Sequence, residues 1–225
     1  MTNPRMRGRP RNAVVTGGKI ARTALDIISE SGYEKLTMSA VAGRLGVAPS
    51  ALYNHVSGKE EILLLVEDEV MAQVETGSLR ECLAGHVAAA DALLAWAYSY
   101  RDVFSRHGPL IAHIATMPIS GTRDTVEMYE LVVQVLLTAG MKEERVMDAV
   151  VAMESFIFGS AYDVRAPEGI FDVPDGEPAT DLQKPGLRRA LARRKGTGNA
   201  EGLNPYADAP FGWGIRVLIG GLLDG

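Results

Sequence analysis

Cysteine is nearly missing from this chain of 225 residues: Cys82 stands alone. One thiol cannot build an internal disulfide framework, and a Cys-rich zinc site is excluded with it. The four histidines, His55, His86, His107 and His113, fall in no His-Glu-x-x-His or comparable local metal motif. No Gly-rich phosphate loop follows a strand, and no alternating strand pattern runs beyond a few residues. Apolar runs stop short of the roughly 18–20 residues of a membrane span, and the N-terminus has no hydrophobic signal core. These absences predict a cytoplasmic protein that is not an enzyme and needs neither metal nor cofactor. A Ser–His–Asp group assembled from distant residues, and with it an all-α enzyme, stays open as an alternative.

What the chain does contain is helical periodicity. Ile20, Ala24, Ile27 and Ile28 stand at i, i+4, i+7 and i+8, the apolar stripe of a helix over about Gly17 to Ser31 that Gly32 terminates. Further helices are predicted at Leu79 to Arg106, Pro109 to Thr116, Thr122 to Ala139 and Glu143 to Val164, with Gly77, Gly108, Pro118 to Gly121 and Gly140 as punctuation. The fold class is all-α, in a chain long enough for a small domain and a larger one.

Leu36 to Ile62 is the most informative stretch. Thr37 is placed to cap a helix from Met38 to Leu45, and Gly46 supplies the left-handed residue that ends it. Pro49 occupies a first-turn position, where its missing N–H does no harm, and starts a second helix to about Val56. Ser57-Gly58-Lys59-Glu60 reads as a capping box, with Glu60 reaching back to Ser57, and opens a long helix from Gly58 to about Glu75. Val41, Leu45, Val47 and Leu52 converge on one interior. Two short helices and a tight turn packed on a third make a DNA-binding helix-turn-helix; three-helix domains that never touch DNA share the outline.

Charge favours the DNA reading. From Met1 to Lys59 nine basic residues (Arg5, Arg7, Arg9, Arg11, Lys19, Arg22, Lys35, Arg44 and Lys59) face three acidic ones, Asp26, Glu30 and Glu34, whereas the whole chain carries −5. A cationic head thus sits on an acidic body, the local sign that phosphate binding with counterion release requires.

The pattern Leu36-Thr37-Met38, Val41-Ala42, Leu45-Gly46-Val47, Leu52-Tyr53, His55-Val56 and Lys59-Glu60-Glu61-Ile62-Leu63 resembles the N-terminal domain of the tetracycline-repressor (TetR) family of transcriptional regulators. Phe211-Gly212-Trp213-Gly214-Ile215 and Leu218-Ile219-Gly220-Gly221-Leu222 are similar to the C-terminal helix of the tetracycline-repressor branch. The resemblance implies a ligand-released repressor; an effector-independent architectural DNA-binding protein is the alternative. The implied division is a flexible basic arm over residues 1–16, a helix-turn-helix over 17–57, and a helical ligand-binding and dimerisation domain over 58–225. A Pro- and Gly-rich linker at 166–205 belongs to the last, with a short helix near Leu187 to Arg194.

The resemblance also implies that the helix from Pro49 lies in the major groove of double-stranded DNA. Pro49, Ser50 and Ala51 then face bases, Tyr53 and His55 contact phosphates, and Lys59 reaches a phosphate from the start of the next helix. A phenol and an imidazole can donate to phosphate oxygens, and small first-turn side chains permit close approach to thymine methyls. Asn54 either reads adenine or caps. Ser39 stands where the tetracycline repressor carries a base-reading arginine, and Ala48 where many relatives carry a capping serine, so the operator sequence does not carry over. In the arm, Arg7-Gly8-Arg9-Pro10 resembles the core of an AT-hook, which lays arginines along a narrow minor groove; a tail that only adds charge is the alternative. Arg188, Arg189, Arg193, Arg194 and Lys195 form a second basic cluster, expected to be a solvated helix face.

Two long apolar segments, Val146 to Ala161 and Phe211 to Leu222, are implied to pair with their twofold mates as a four-helix bundle, giving a homodimer on a pseudo-palindromic operator. Gly212, Gly214, Gly220 and Gly221 allow close backbone approach; an ordinary monomer core fits the same pattern. Trp96, Tyr100, Phe104, Ile114, Met117, Met128, Tyr129 and Met153 are candidates to line a pocket for an aromatic or polycyclic, mainly apolar effector, and each also fits a plain core. His113 precedes Thr116-Met117-Pro118 as the magnesium-binding histidine of the tetracycline repressor precedes its Thr-x-Pro, and Asp163 follows Gly159 as an acidic residue does there. Met117 replaces a polar partner, so a hydrogen bond from His113 to a polar effector is expected in place of a tetracycline–magnesium site. No membrane partner is expected.

Overall fold

The computed structural model describes residues 15–114, 116–119, 122–167, 170–171, 185–194, 204 and 206–224, and every regular element among them is helical. They form two compact units, one ending at Glu69 and the other beginning at Val70. Arg7 and Arg9, and with them the arm, lie outside the described residues.

The first unit is built on helix α1, Gly17–Ser31. Thr16 caps it, its hydroxyl accepting from the Lys19 N–H at 3.3 Å, and Gly32 ends it at φ 89°. The predicted stripe faces inward: Ile20, Ala21, Ala24, Ile27 and Ile28 are buried. A 3₁₀ turn, Tyr33–Lys35, leads to α2, Met38–Leu45. Thr37 caps α2, its hydroxyl accepting from the Ala40 N–H at 3.1 Å, and Gly46 closes it in the left-handed region at φ 69°, ψ 29°. Helix α3, Pro49–Leu52, follows, and then α4, Lys59–Met71. Leu36, Val41, Ala42, Leu52, Val56, Ile62 and Val66 complete the interior. Leu45 and Val47, expected inside, are half-buried, because they flank the Gly46 turn at the edge of the core.

Three expectations are corrected here. Helix α3 stops at Leu52, not near Val56: the Leu52 carbonyl accepts from both His55 (2.9 Å) and Val56 (3.1 Å), and the chain turns so that Val56 points into the core. Helix α4 ends at Met71, short of Glu75. The capping carboxylate is Glu61, not Glu60. With Lys59 as first residue Glu61 is the third, and its Oε2 accepts from the Ser57 N–H at 2.7 Å and the Ser57 hydroxyl at 2.8 Å. Those bonds, the backbone one foremost, hold the Glu61 carboxyl below the usual carboxylate range.

The second unit comprises α5 (Gly77–Leu83), α6 (Ala89–Arg106), α7 (Gly108–Ile114), α8 (Arg123–Thr138), α9 (Glu143–Asp163), α10 (Pro185–Arg194) and α11 (Asp208–Leu223). The single helix expected from Leu79 to Arg106 is broken. Gly85 takes φ 82°, and the Gly85 and His86 N–H groups fold back onto the carbonyls of Cys82 and Glu81, closing α5. Helix α6 runs through the middle of the unit, packed on α5, α7, α8, α9 and α11. Arg101, buried on α6, ties three helices: its Nε donates to Ser160 Oγ of α9 at 2.8 Å, its Nη1 to Asp208 Oδ1 of α11 at 2.9 Å, and its guanidinium lies 4.8 Å over the Phe211 ring. Helix α11 approaches closely only because two positions lack Cβ. A Cβ on Gly214 would fall 2.5 Å from Phe156 Cζ, and one on Gly212 would collide with the Tyr98 hydroxyl. Gly220 and Gly221 meet nothing comparable. On α10, Arg189 and Arg193 are exposed; the side chains of Arg188 and Arg194, and Lys195 altogether, lie outside the described residues. No described helix is long and apolar enough to cross a membrane.

Glu67, on α4, is a buried carboxylate. It is 2% exposed, and its Oε2 has no hydrogen-bond partner. Burial, helped by the neighbouring Asp68 charge, pushes its carboxyl from 4.5 up to about 7. The folded chain therefore holds a proton that the unfolded chain releases at about 4.5, and stability falls as pH rises from about 4.5 to about 7. The loss amounts to about 3 kcal/mol at most. Urea midpoints measured across that window should drop for the natural chain and stay flatter for Glu67→Gln. In the first unit, Leu52→Ala, which empties a site with no solvent exposure, should cost about 2–5 kcal/mol in the same assay, while Ser50→Ala on the same turn should change stability by less than about 0.5 kcal/mol.

Candidate DNA-binding face and effector core

Helix α3 has four residues and buries Leu52 among them; the rest of the segment faces outward as a consequence. Pro49, Ser50, Asn54 and His55 are exposed, Tyr53 is 57% exposed, and Ala51 is half-buried. Ser39, in the first turn of α2, is exposed as well. The structure thus presents, between residues 49 and 55, one short segment whose exposed polar groups are a hydroxyl, an amide, a phenol and an imidazole. Such a surface offers donors and acceptors without large apolar area, which suits a groove edge and its phosphates.

Lys59 opens α4 next to this segment in sequence, with its ammonium 3.9 Å from the centroid of the Tyr33 ring and donating to the Tyr33 carbonyl at 3.5 Å. Not all of the cationic surplus is available to a polyanion. Arg44 donates through Nη1 and Nη2 to the two carboxylate oxygens of Glu30, and Arg22 pairs with Glu69 at 3.1 Å. The Arg44 hydrogen bonds hold the Glu30 carboxyl below its ordinary range. Composition counts these charges; it does not show that they are already spent.

The candidate effector residues separate into a closed core and a rim. Trp96, Tyr100, Phe104, Met128 and Met153 are buried almost completely, and Ile114 nearly so. Rings from α6 and α9 form a cluster: Trp96 to Tyr100 at 5.5 Å, Tyr100 to Phe104 at 4.8 Å, and Phe158 at 5.6 Å from Tyr100 and 5.1 Å from Phe104. Tyr129, on α8, is half-buried and joins through a residue absent from the sequence-based set. The Tyr100 and Tyr129 hydroxyls both donate to Glu154 Oε1, at 3.0 and 2.5 Å. Burial raises the Glu154 carboxyl, and the two phenol bonds oppose that. Burial first, then the Glu154 charge, pushes the Tyr100 phenol well up. The Trp96 indole N–H is buried without a partner. Glu154 was detectable: it lies on the inward stripe Val150, Glu154, Ile157, Phe158, Ala161, where a carboxylate is out of place unless it has a task.

His113 and Met117 are half-buried at and beyond the end of α7, where the Thr116 hydroxyl donates to the His113 carbonyl at 3.0 Å. Asp163 lines a cavity of about 370 Å³ between α9 and α11, together with Phe156, Ser160, Phe211 and Trp213, none of them candidate effector residues. Among the described residues no group of three His, Cys, Asp or Glu side chains is placed to hold a metal ion. Helices α9 and α11 also expose large apolar side chains: Met147, Val151 and Tyr162 on the first, Val217 and the 73% exposed Trp213 on the second.

Comparison with known proteins agrees with this division. Residues 20–66 match the family described as bacterial regulatory proteins, tetR family, and residues 88–224 match the tetracyclin repressor-like C-terminal domain. The chain is 28% identical over 211 residues to the class A tetracycline repressor protein from transposon 1721 of Escherichia coli, covering 90% of this chain and 88% of that one. It is also 28% identical over 147 residues to an HTH-type transcriptional regulator of Saccharopolyspora erythraea, where the match spans 65% of this chain and 60% of the relative. In fold it is similar to the TetR family protein ActR of Streptomyces coelicolor in complex with actinorhodin, with a TM-score of 0.69 at 23% identity over 95% of this chain and 97% of that one. Since the two matched segments take in well over half of the sequence and follow its two structural units, the chain belongs to the TetR family of bacterial transcriptional regulators.

Proposed function

We propose that this regulator is a repressor that binds a pseudo-palindromic operator in double-stranded DNA as a homodimer and leaves it when a small aromatic effector enters the core between α6, α8 and α9. The observation that carries the DNA half of this reading is the outward set Ser50, Tyr53, Asn54 and His55, held in place by the burial of Leu52. Pro49, Ser50, Ala51 and Asn54 then meet base edges, with Ser39 near the groove, while Tyr53, His55 and Lys59 take phosphates. Lys59 must exchange the Tyr33 ring for a phosphate. A cation–π contact at a partly open site is worth about 0.5–1 kcal/mol, less than a charge-assisted bond to an anion, so the exchange runs downhill. Arg7 and Arg9 add minor-groove contacts from the arm. The exposed apolar residues of α9 and α11 supply the dimer contact, which sets two recognition segments about one helical turn, roughly 35 Å, apart on the DNA. Such a protein works in the cytoplasm, where the chromosome is.

The effector half follows from linkage. Helix α4 starts in the DNA-binding unit and contains the boundary between the units, so a shift of α4 on ligand binding changes the spacing of the two recognition segments. A hundredfold loss of operator affinity needs about 2.7 kcal/mol of differential ligand binding, and the operator must weaken the ligand equally. The likeness to ActR, a protein seen with actinorhodin, and to a tetracycline repressor supports a small molecule as the signal and repression as the resting state.

Salt-dependent binding to the operator tests the DNA half. Lys59→Ala should weaken binding on all operator variants alike and reduce the salt slope by about one, and Tyr53→Phe should weaken it without changing base preference. Asn54→Ala and Ser50→Ala should instead alter which base pairs are preferred. An unchanged affinity and slope for Lys59→Ala would overturn the docking. For the effector half, ligand affinity measured on free and operator-bound protein should differ by the same factor as operator affinity with and without ligand; equal affinities would refute release by ligand.

A further inference from the structure

Given the homodimer proposed above, on which this rests, we infer that Trp213 of each subunit plugs the cavity between α9 and α11 of the other, and that this exchanged ring decides which chains pair.

The socket is already formed in the single chain. Its volume is about 370 Å³, and Phe156, Gly159, Ser160, Asp163, Phe211 and Gly214 are among the residues that line it. Gly159 leaves room there, since a Cβ at that position would meet nothing within 4 Å. The walls are braced. The Phe156 and Phe211 rings stack at 5.7 Å, and the buried Arg101 holds two lining residues, donating to Ser160 Oγ at 2.8 Å and lying 4.8 Å over the Phe211 ring. A slot of this kind left to water forfeits the apolar burial that a fitting ring would supply.

The plug stands at the rim of the same cavity. Trp213 lines the opening, yet it is 73% exposed, more than any other large apolar side chain among the described residues. Met147, Val151 and Tyr162 of α9 and Val217 of α11 extend the exposed apolar surface on the same two helices. A twofold axis sets one patch against its own copy, so a ring on the rim of its own cavity is carried to the cavity of the other copy, and a desolvated tryptophan in a pocket is the usual anchor of such a contact. Charge runs the same way. The socket carries Asp163, the plug is followed one turn on by the exposed Arg216, and neither pairs with an opposite charge among the described residues. The Ser155 hydroxyl and the Asp163 carboxylate also offer acceptors to the entering indole N–H, which needs one once buried.

The test is sedimentation equilibrium of the full natural chain, of Trp213→Ala and of Gly159→Leu, each alone and the two variants mixed with a fluorescent label on one. Trp213 is exposed and Gly159 unobstructed, so both variants should keep the helical circular dichroism of the natural chain. Trp213→Ala removes both plugs and should weaken the dimer at least about hundredfold. Gly159→Leu fills both sockets and should weaken it at least about tenfold. In the mixture one plug meets one open socket again, and the mixed dimer should be at least about tenfold tighter than the dimer of either variant. A Trp213→Ala dimer within about threefold of the natural one, or mixed dimers no tighter than those of the separate variants, overturns the exchange. The dimer reading then stands, and the cavity is left to a small molecule or another protein. A natural chain that forms no dimer overturns that reading and this inference with it. Trp213→Ala decides the matter even if Gly159→Leu does not fold.

Discussion

The burial of Leu52 is the contact on which the DNA-facing surface depends. A helix of four residues has no stability of its own, since nucleating one turn costs more than its hydrogen bonds return. Helix α3 persists because Gly46 and Pro49 set the chain's direction before it and Leu52 anchors it in an interior already lined by α1, α2 and α4. Once that side chain and Val56 are fixed inside, the short helix and the turn after it leave Ser50, Tyr53 and Asn54 exposed. Position and exposure of the candidate base-reading groups are thus consequences of two apolar contacts and two backbone constraints.

Electrostatics then divides the chain by task. In the first unit the positive surplus is partly self-neutralised through the surface pairs Arg44–Glu30 and Arg22–Glu69. They contribute little to stability but orient α1 against its neighbours and reduce the indiscriminate attraction to phosphate that a fully open basic face would have. The second unit also carries charge inside, on α6 and α9. Arg101 is paired with Asp208 and Ser160, with its Nη2 buried without a partner, and ties α6 to the helices that expose apolar surface, while the half-buried Glu154 joins α9 to α6 and α8 by accepting from Tyr100 and Tyr129.

Much of this was legible in the sequence, for definite reasons. The caps Thr37 and Gly46, the Pro49 start and the stripe of α1 are local features, each decided by a few neighbouring residues, and they reappear as read. The capping carboxylate was displaced by one position because Glu60 and Glu61 are chemically identical, and only the true first residue of α4 decides between them. The break between α5 and α6 was hidden because Leu79, Cys82, Ala92 and Leu93 keep an apolar period across it; Gly85 was its single mark. The spent charges on Arg22 and Arg44 and the Tyr100–Glu154–Tyr129 link join residues 25 to 54 positions apart, or in the Arg44 case 14, and no local pattern encodes them. The sequence marked Glu154 only as a charge in an apolar stripe, which is a question and not an answer.

The central claim is that this surface reads a sequence and does not merely attract DNA. The most direct measurement is selection of fragments of the native genome by the purified full-length chain at physiological salt, followed by sequencing of those retained. Sequence reading by a dimer predicts a small set of fragments sharing one inverted repeat, with the centres of its halves about one helical turn or a multiple of it apart. Retention that tracks AT content or fragment length, with no shared inverted repeat, would contradict the account.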